Sequence, residues 1–351
     1  LLAYVNRQIN QVPIVIVGSY RDDERPNLPQ ELPMMQLIPL NRLESRDIAA
    51  LSASMLGSVG EQPEVLGLLQ RETEGNAFFL VEVVRALAEE AGRLSAIADI
   101  SLPTNLFPQG IETIVERRLA RVPAGAEGLL PVVAVLGRQL DLPLLDWIIA
   151  QRGETVRLEN WLTNCADAAI FVVENGRWQF AHDKLREGIL NRETAVSRID
   201  WHRQAAHAIE AVYPDAPEQA SALVHHWHMV GNEAKERDYA EVAGDYARRQ
   251  FLNAEAISYF SRALHLTASD KLTDKYRLLH SREQIYRLQG DRDAQLEDIR
   301  TLQALAEAQL QQDGVDKRAE AALRLASYAE ATADYLTAVS SAQQALAHAQ
   351  S

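Results

Sequence analysis

The stretch FVVENGRWQFAHDKLREGIL, residues 171–190, decides how the chain divides. Apolar and polar residues alternate on either side of Glu174, Asn175, Gly176 and Arg177, which is the pattern of a β-hairpin whose turn accepts positive φ. His182 and Asp183 then stand at the mouth of a helix that carries Leu185, Ile189 and Leu190 on one side. Before this stretch the sequence mixes short apolar runs with helical segments. After it the chain reads as one helix after another.

Working back from the hairpin, Ile111, Ile114, Val115 and Leu119 mark a helix that Pro123 ends. Further helices are expected over 125–136, 142–150 and 155–168, the last with Leu158, Trp161 and Leu162 inward. Three or four helices followed by a β-ribbon describe a winged helix, expected over residues 99–197. Winged helices commonly meet DNA through the helix before the ribbon. Here that helix carries Arg157 against Glu159 and Asp167, with Glu154 just ahead, so it lacks the cations that phosphates require. The formal charge of the chain, −14, also repels phosphodiester backbones. Nucleic acid is therefore not the expected partner, and the winged helix is better read as an internal lever.

The bulk numbers agree with a multi-domain, helix-leaning protein. A chain of 351 residues is too long for one small core. The single cysteine, Cys165, excludes an internal disulfide and points to a reducing, cytoplasmic setting. The longest apolar run, near 129–136, contains Pro131 and is far too short to span a bilayer, so no membrane association is expected. The chain begins on Leu1 within a helical pattern and stops within another at Ser351, so a longer parent protein is expected.

In the first block, Pro13 precedes the run Ile14, Val15, Ile16 and Val17, which reads as a strand buried on both faces. It leads into GSYRDDE, residues 18–24, and an arginine past the carboxyl end of such a strand, Arg21, is placed to meet an anion. Four residues separate the run from Asp22 and Asp23, which argues against a magnesium site there. Ser45 is a candidate cap for a helix over 46–56, and a second helix is expected from about Pro63 to about Thr73. Asn76 is expected to cap a third, with Phe79, Val83 and Leu87 on one side.

Taken in order, GSYRDDE, LNRLESRDIAAL, ETEGNAFFLVEVVRAL and FAHDKLREGIL resemble the rear part of a STAND-class ATPase. That class is a signalling branch of the AAA+ ATPases related to NB-ARC proteins. The resemblance implies a mainly α chain in four parts. Residues 1–40 would be the edge of an α/β P-loop core, 41–98 a helical lid, 99–197 the winged helix and 198–351 tetratricopeptide-like repeats forming an α-solenoid. It implies that Arg21 senses a γ-phosphate, and that Gly75, Asn76, Ala77 and Phe78 lie near the adenine. It also implies that His182 touches the β-phosphate in an ADP-bound resting state. Ala77 stands where the family usually has proline, and Ala181 where it usually has methionine. ATP or ADP with Mg is the implied cofactor of the parent, and a self-assembled parent is compatible with the class.

No G-x-x-x-x-G-K-[ST] occurs in the chain. Two charge-assisted bonds from Arg21 and His182 would give about 3–6 kcal/mol before ordering costs. The chain alone is therefore expected neither to hold ATP tightly nor to hydrolyse it.

In the tail, Gly244, Ala256, Phe260 and Ala263 fit the small-residue spacing of a tetratricopeptide repeat, and Ala326, Ala338, Ala342 and Ala345 repeat it. The period is nearer forty than thirty-four residues, and a poorly matched copy keeps Gly290 at its turn. Such an array offers a face to a protein partner or ligand. His225 and His228 fit one helix face, but no third ligand lies at metal spacing nearby, so no metal is expected. The sequence supports three readings: a nucleotide-gated signalling switch, an interaction scaffold without switching, and a winged-helix transcription regulator. The first is the one expected.

Overall fold

The computed structural model describes residues 15, 17–20, 25, 27–33, 35–91, 116–122, 127–153, 156–308 and 312–350. It is mainly helical, with one two-stranded antiparallel sheet among the described residues. The chain forms two compact units, Leu1–Pro108 and Gln109–Ser351. Among the described residues no helix is long and apolar enough to cross a membrane.

Among the described residues the first unit holds a single helical turn, α1 (Leu28–Glu31), and the helices α2 (Ser45–Leu56), α3 (Pro63–Thr73) and α4 (Ala77–Ala91). α2 packs on α3 and α3 on α4. Their shared core is built from Ile48, Val65, Leu68, Leu69, Leu80, Val83, Val84 and Leu87, all buried. Pro63 opens α3 at a position where a missing N–H costs nothing. The cap of α2 differs from expectation. Glu44 is the N-cap, and its N–H donates to Asp47 Oδ2 at 3.3 Å. Ser45 is drawn elsewhere, its hydroxyl accepting from Gln70 Nε2 at 2.8 Å.

The expected buried strand is not found at the positions described. Val15 and Val17 lie in no strand and are 86% and 89% exposed. A parallel strand is held by neighbours on both edges, and no other strand is present in this unit among the described residues to supply them. Ile14 and Ile16 lie outside the described residues, and what the described residues of this unit show is helical.

In the second unit, residues 116–119 are helical, and residues 111–115 and Pro123 fall outside the described residues. The next helix is shorter than expected. A 3-10 turn at Glu127–Leu129 leads into α5 (Leu130–Leu136). Then come α6 (Leu142–Arg152) and α7 (Leu158–Asp167), the latter starting three residues late because Arg157 is its N-cap. Trp161, Leu162 and Cys165 form the buried face of α7, while Leu158 is only half-buried. Burial pushes the Cys165 thiol up to about 12, so it is inert at neutral pH.

β1 (Phe171–Glu174) pairs with β2 (Arg177–Phe180) around a turn in which Asn175 and Gly176 have φ 51° and 75°. Positive φ at both central residues is what a two-residue hairpin needs to match strand twist. Phe171 lies opposite Phe180, and their rings meet edge to face with centroids 4.9 Å apart. Trp161 of α7 covers Phe171 at 5.3 Å. The far edge of β2 is also engaged: Phe180 N–H donates to Arg138 O at 3.0 Å and Leu140 N–H to Trp178 O at 2.9 Å. That short pairing between α5 and α6 has no signature in the sequence.

From there, among the described residues, helices follow in turn: α8 (Asp183–Arg192), α9 (Ala195–Val212), α10 (Ala220–Val230), α11 (Glu233–Arg249), α12 (Asn253–Leu266), α13 (Leu272–Gln289), α14 (Arg292–Ala308), α15 (Gln312–Ala331) and α16 (Tyr335–Ala349). From α9 onward each helix packs on the next, and α9 also packs on α5 and α6. The Tyr213 hydroxyl, just past α9, donates to the Asp141 carboxylate at the start of α6 at 2.9 Å. Helices α11, α13 and α15 begin at 233, 272 and 312, steps of 39 and then 40 residues. Ala256, Phe260 and Ala263 are fully buried, and a Cβ at Gly244 would stand 2.9 Å from the Phe260 ring. The later set is less regular: Ala326 and Ala345 are buried, Ala338 is half-buried and Ala342 is exposed.

Candidate functional site

The turn between α3 and α4 is locked from several directions. Glu74 leaves the helix in the left-handed region at φ 46°, and Gly75 follows at φ 80°. Gly75 O accepts from Leu43 N–H at 2.8 Å, and a Cβ on Gly75 would stand 2.4 Å from Leu43 O. Glycine is thus required twice, by φ and by the close strand of backbone. Asn76 caps α4 as expected, its Oδ1 accepting from Phe79 N–H at 3.4 Å. Ala77 and Phe78 are the first two residues of α4. Arg42 clamps the turn, donating to the Glu74 carboxylate at 2.8 Å and to its carbonyl at 3.2 Å. Beside the turn lies an open groove of about 560 Å³ lined by Leu43, Ser45, Arg46, Ile48, Gln70 and Gly75. Two apolar residues, Leu43 and Ile48, stand among charged, amide and hydroxyl residues, with Glu44 and Glu74 also on the lining.

His182 is in the second unit, at the junction of β2 and α8. It is the N-cap of α8, with extended backbone, and its Nδ1 accepts from Lys184 N–H at 3.1 Å. An accepting Nδ1 leaves the ring proton on Nε2. The ring is half-buried, and its pKa lies below the ordinary value. Burial is the main cause, Asp183 opposes it, and Arg138 and Lys184 add to it. A neutral donor at a helix start is what the helix dipole favours over a protonated ring. Arg138 is held across the site by Asp183 at 3.4 Å. Arg21, Asp22 and Asp23 fall outside the described residues.

The structure assembles one cluster that local sequence did not reveal. His202 of α9 meets His225 and His226 of α10, with one ligating atom from each within 4.8 Å of the others. His202 and His226 are buried and share a 2.9 Å contact between their Nδ1 atoms, while His225 is exposed. Burial, with His225 and Arg198, lowers His202 to about 4 and, with His202 and His225, lowers His226 to about 3. Both are neutral at pH 7. His228, paired with His225 by spacing, instead lies beside Glu236 at 3.2 Å and Arg262 at 3.3 Å. The third histidine comes from another helix, so a search at ligand spacing missed it. The available signal was a histidine on the buried face that Ala205, Ala206, Ala208 and Ile209 define.

The helical tail also buries ion pairs. Arg262 donates to Glu236 at 2.6 Å, and Arg282 grips Asp298 with bonds of 2.6 and 3.0 Å. Arg324 donates to Glu283, which also accepts from Gln295 at 2.7 Å. The Arg262, Arg282 and Gln295 contacts tie neighbouring helices together, and Arg324 ties α15 back to α13. No protein-family model matches the chain, and comparison with curated proteins finds no match.

Proposed function

We propose that this chain is the lid, winged-helix and repeat portion of a nucleotide-gated signalling switch of the STAND type. Its parent supplies the phosphate-binding loop and Mg-bound ATP or ADP. In this reading residues 41–98 are the lid, and the groove beside Gly75, Asn76, Ala77 and Phe78 takes the adenine edge. Arg21 reads the γ-phosphate, and His182 holds the β-phosphate of ADP through Nε2–H. The winged helix is residues 99–197, within which lie α5, the short edge pairing, α6, α7, the hairpin and α8. Residues 198–351 are the tetratricopeptide-like repeats that receive a protein partner or ligand, with α11–α16 as three of their helix pairs.

The observation that carries this reading is the state of His182. The residue singled out by motif order is held with Nδ1 occupied by the backbone and the proton on Nε2, which suits a neutral donor to an anion. The test is His182→Ala in the full-length parent, with basal signalling as readout. Signalling should rise because ADP no longer holds the closed form, and unchanged basal signalling would count against the role.

A scaffold without nucleotide switching is the second reading. It draws on the apolar side chains that α16 exposes, Tyr335, Leu336, Val339 and Leu346. A parent lacking G-x-x-x-x-G-K-[ST] would favour it. The transcription-regulator reading loses support, because α7 holds Glu159 and Asp167 and neither lysine nor arginine within its bounds.

A further inference from the structure

We propose that His202, His225 and His226 form a binding site for a divalent zinc-class cation, fastening α9 to α10. Three imidazoles from two packed helices offer ring nitrogens within 4.8 Å of one another. A tetrahedral zinc ion with bonds of about 2.0–2.1 Å places its ligands about 3.3–3.4 Å apart. The His202 and His226 Nδ1 atoms, now 2.9 Å apart, would open by a few tenths of an ångström to reach that spacing.

The donor set selects the cation. Neutral nitrogen ligands suit zinc, copper(II) or nickel, whereas calcium and magnesium require oxygen. No carboxylate belongs to the cluster, which separates it from the exposed acidic groups common on such surfaces. Exposure supplies the route: His225 faces solvent, so an ion arrives there and is passed to the buried pair. Three protein ligands leave a fourth position open on the exposed side, as in zinc sites that retain water. Arg198 lies near His202, and Arg186 near His225. Two cations near a dication weaken it, so moderate rather than extreme affinity is expected.

The position gives the site a consequence. α9 packs on α5 and α6, whereas α10 leads into the helical succession. A cation joining α9 to α10 therefore stiffens the junction between those two parts of the unit.

The full chain, stripped of metal with a chelator, is titrated with zinc by calorimetry and with cobalt(II) by visible absorption. The expected result is one equivalent bound, with the intense bands of tetrahedral cobalt. At a zinc concentration about 100 times Kd, the Tm should rise by about 5–10 °C and fall back on chelation. His225→Ala, which removes the exposed ligand and leaves the buried pair, should weaken binding about tenfold or more. His228→Ala should bind as wild type. His202→Ala should also weaken binding, with circular dichroism showing that helix content is retained. Absence of saturable binding, an unchanged affinity in His225→Ala, or loss of binding in His228→Ala would each overturn the site.

Discussion

Gly244 of α11 lies close against Phe260 of α12, and the pair supports a double-mutant cycle. A Cβ at Gly244 would stand 2.9, 3.0 and 3.1 Å from three atoms of the Phe260 ring. That ring is 1% exposed and packs with Ala240, Ala247 and Leu278, so it has little room to yield. Gly244→Ala gains about 1 kcal/mol of helix propensity but incurs about 1–3 kcal/mol of overpacking. The net expectation is a loss of about 1 kcal/mol. Phe260→Ala alone should cost about 3–5 kcal/mol by leaving a cavity. In the Phe260→Ala background the clash is gone, so Gly244→Ala should stabilise by about 1 kcal/mol. The sign of the substitution therefore reverses, with a coupling of about 2 kcal/mol. Urea unfolding followed by tryptophan fluorescence reads this directly, because all five tryptophans lie in the second unit. Additivity within about 0.5 kcal/mol would refute the close approach of the two helices.

Three further outcomes are expected. Gly75→Ala should destabilise the first unit by about 2–4 kcal/mol, because positive φ and the nearby Leu43 carbonyl both oppose a Cβ; unchanged amide exchange in α3 and α4 would contradict this. Glu236→Gln should cost about 1–3 kcal/mol at pH 7. Burial alone would raise the Glu236 pKa, but Arg262 and His228 outweigh it and hold the carboxyl below 4.5. Its contribution is thus complete above pH 4.5 and is lost as the pH falls through the depressed value, so the gap between wild type and variant should narrow in acid. A gap constant from pH 7 to pH 3 would contradict that pairing. His182→Ala should cost about 0.5–2 kcal/mol by removing the cap of α8, and His182→Ser, which restores an acceptor, should recover most of it. Equal unfolding midpoints for both variants would argue against the cap.

Elements with strong local signals were legible from sequence. Asn175 and Gly176 specified the hairpin because positive φ at two adjacent positions is a demand few residues meet. Asn76, Pro63 and Gly244 were likewise readable, each tied to a cap, a first turn or a close helix pair. Ser45 was misread as a cap because its hydroxyl and the adjacent Glu44 carboxylate compete, and Gln70 on α3 takes the hydroxyl. The strand expected at Ile14, Val15, Ile16 and Val17 depended on neighbours that a local apolar run cannot reveal. The pairing of Arg138 and Leu140 with β2 and the meeting of His202 with His226 are tertiary events. Nothing within a window of one helix announces either.

The most direct test of the nucleotide switch is the rate at which the full-length parent releases a fluorescent ADP. It is compared between wild type and His182→Ser, which keeps a capping oxygen but falls short of the reach of the ring. Loss of one charge-assisted bond should speed release about 10- to 100-fold. An unchanged release rate from a folded variant would contradict the role of His182 on the phosphate.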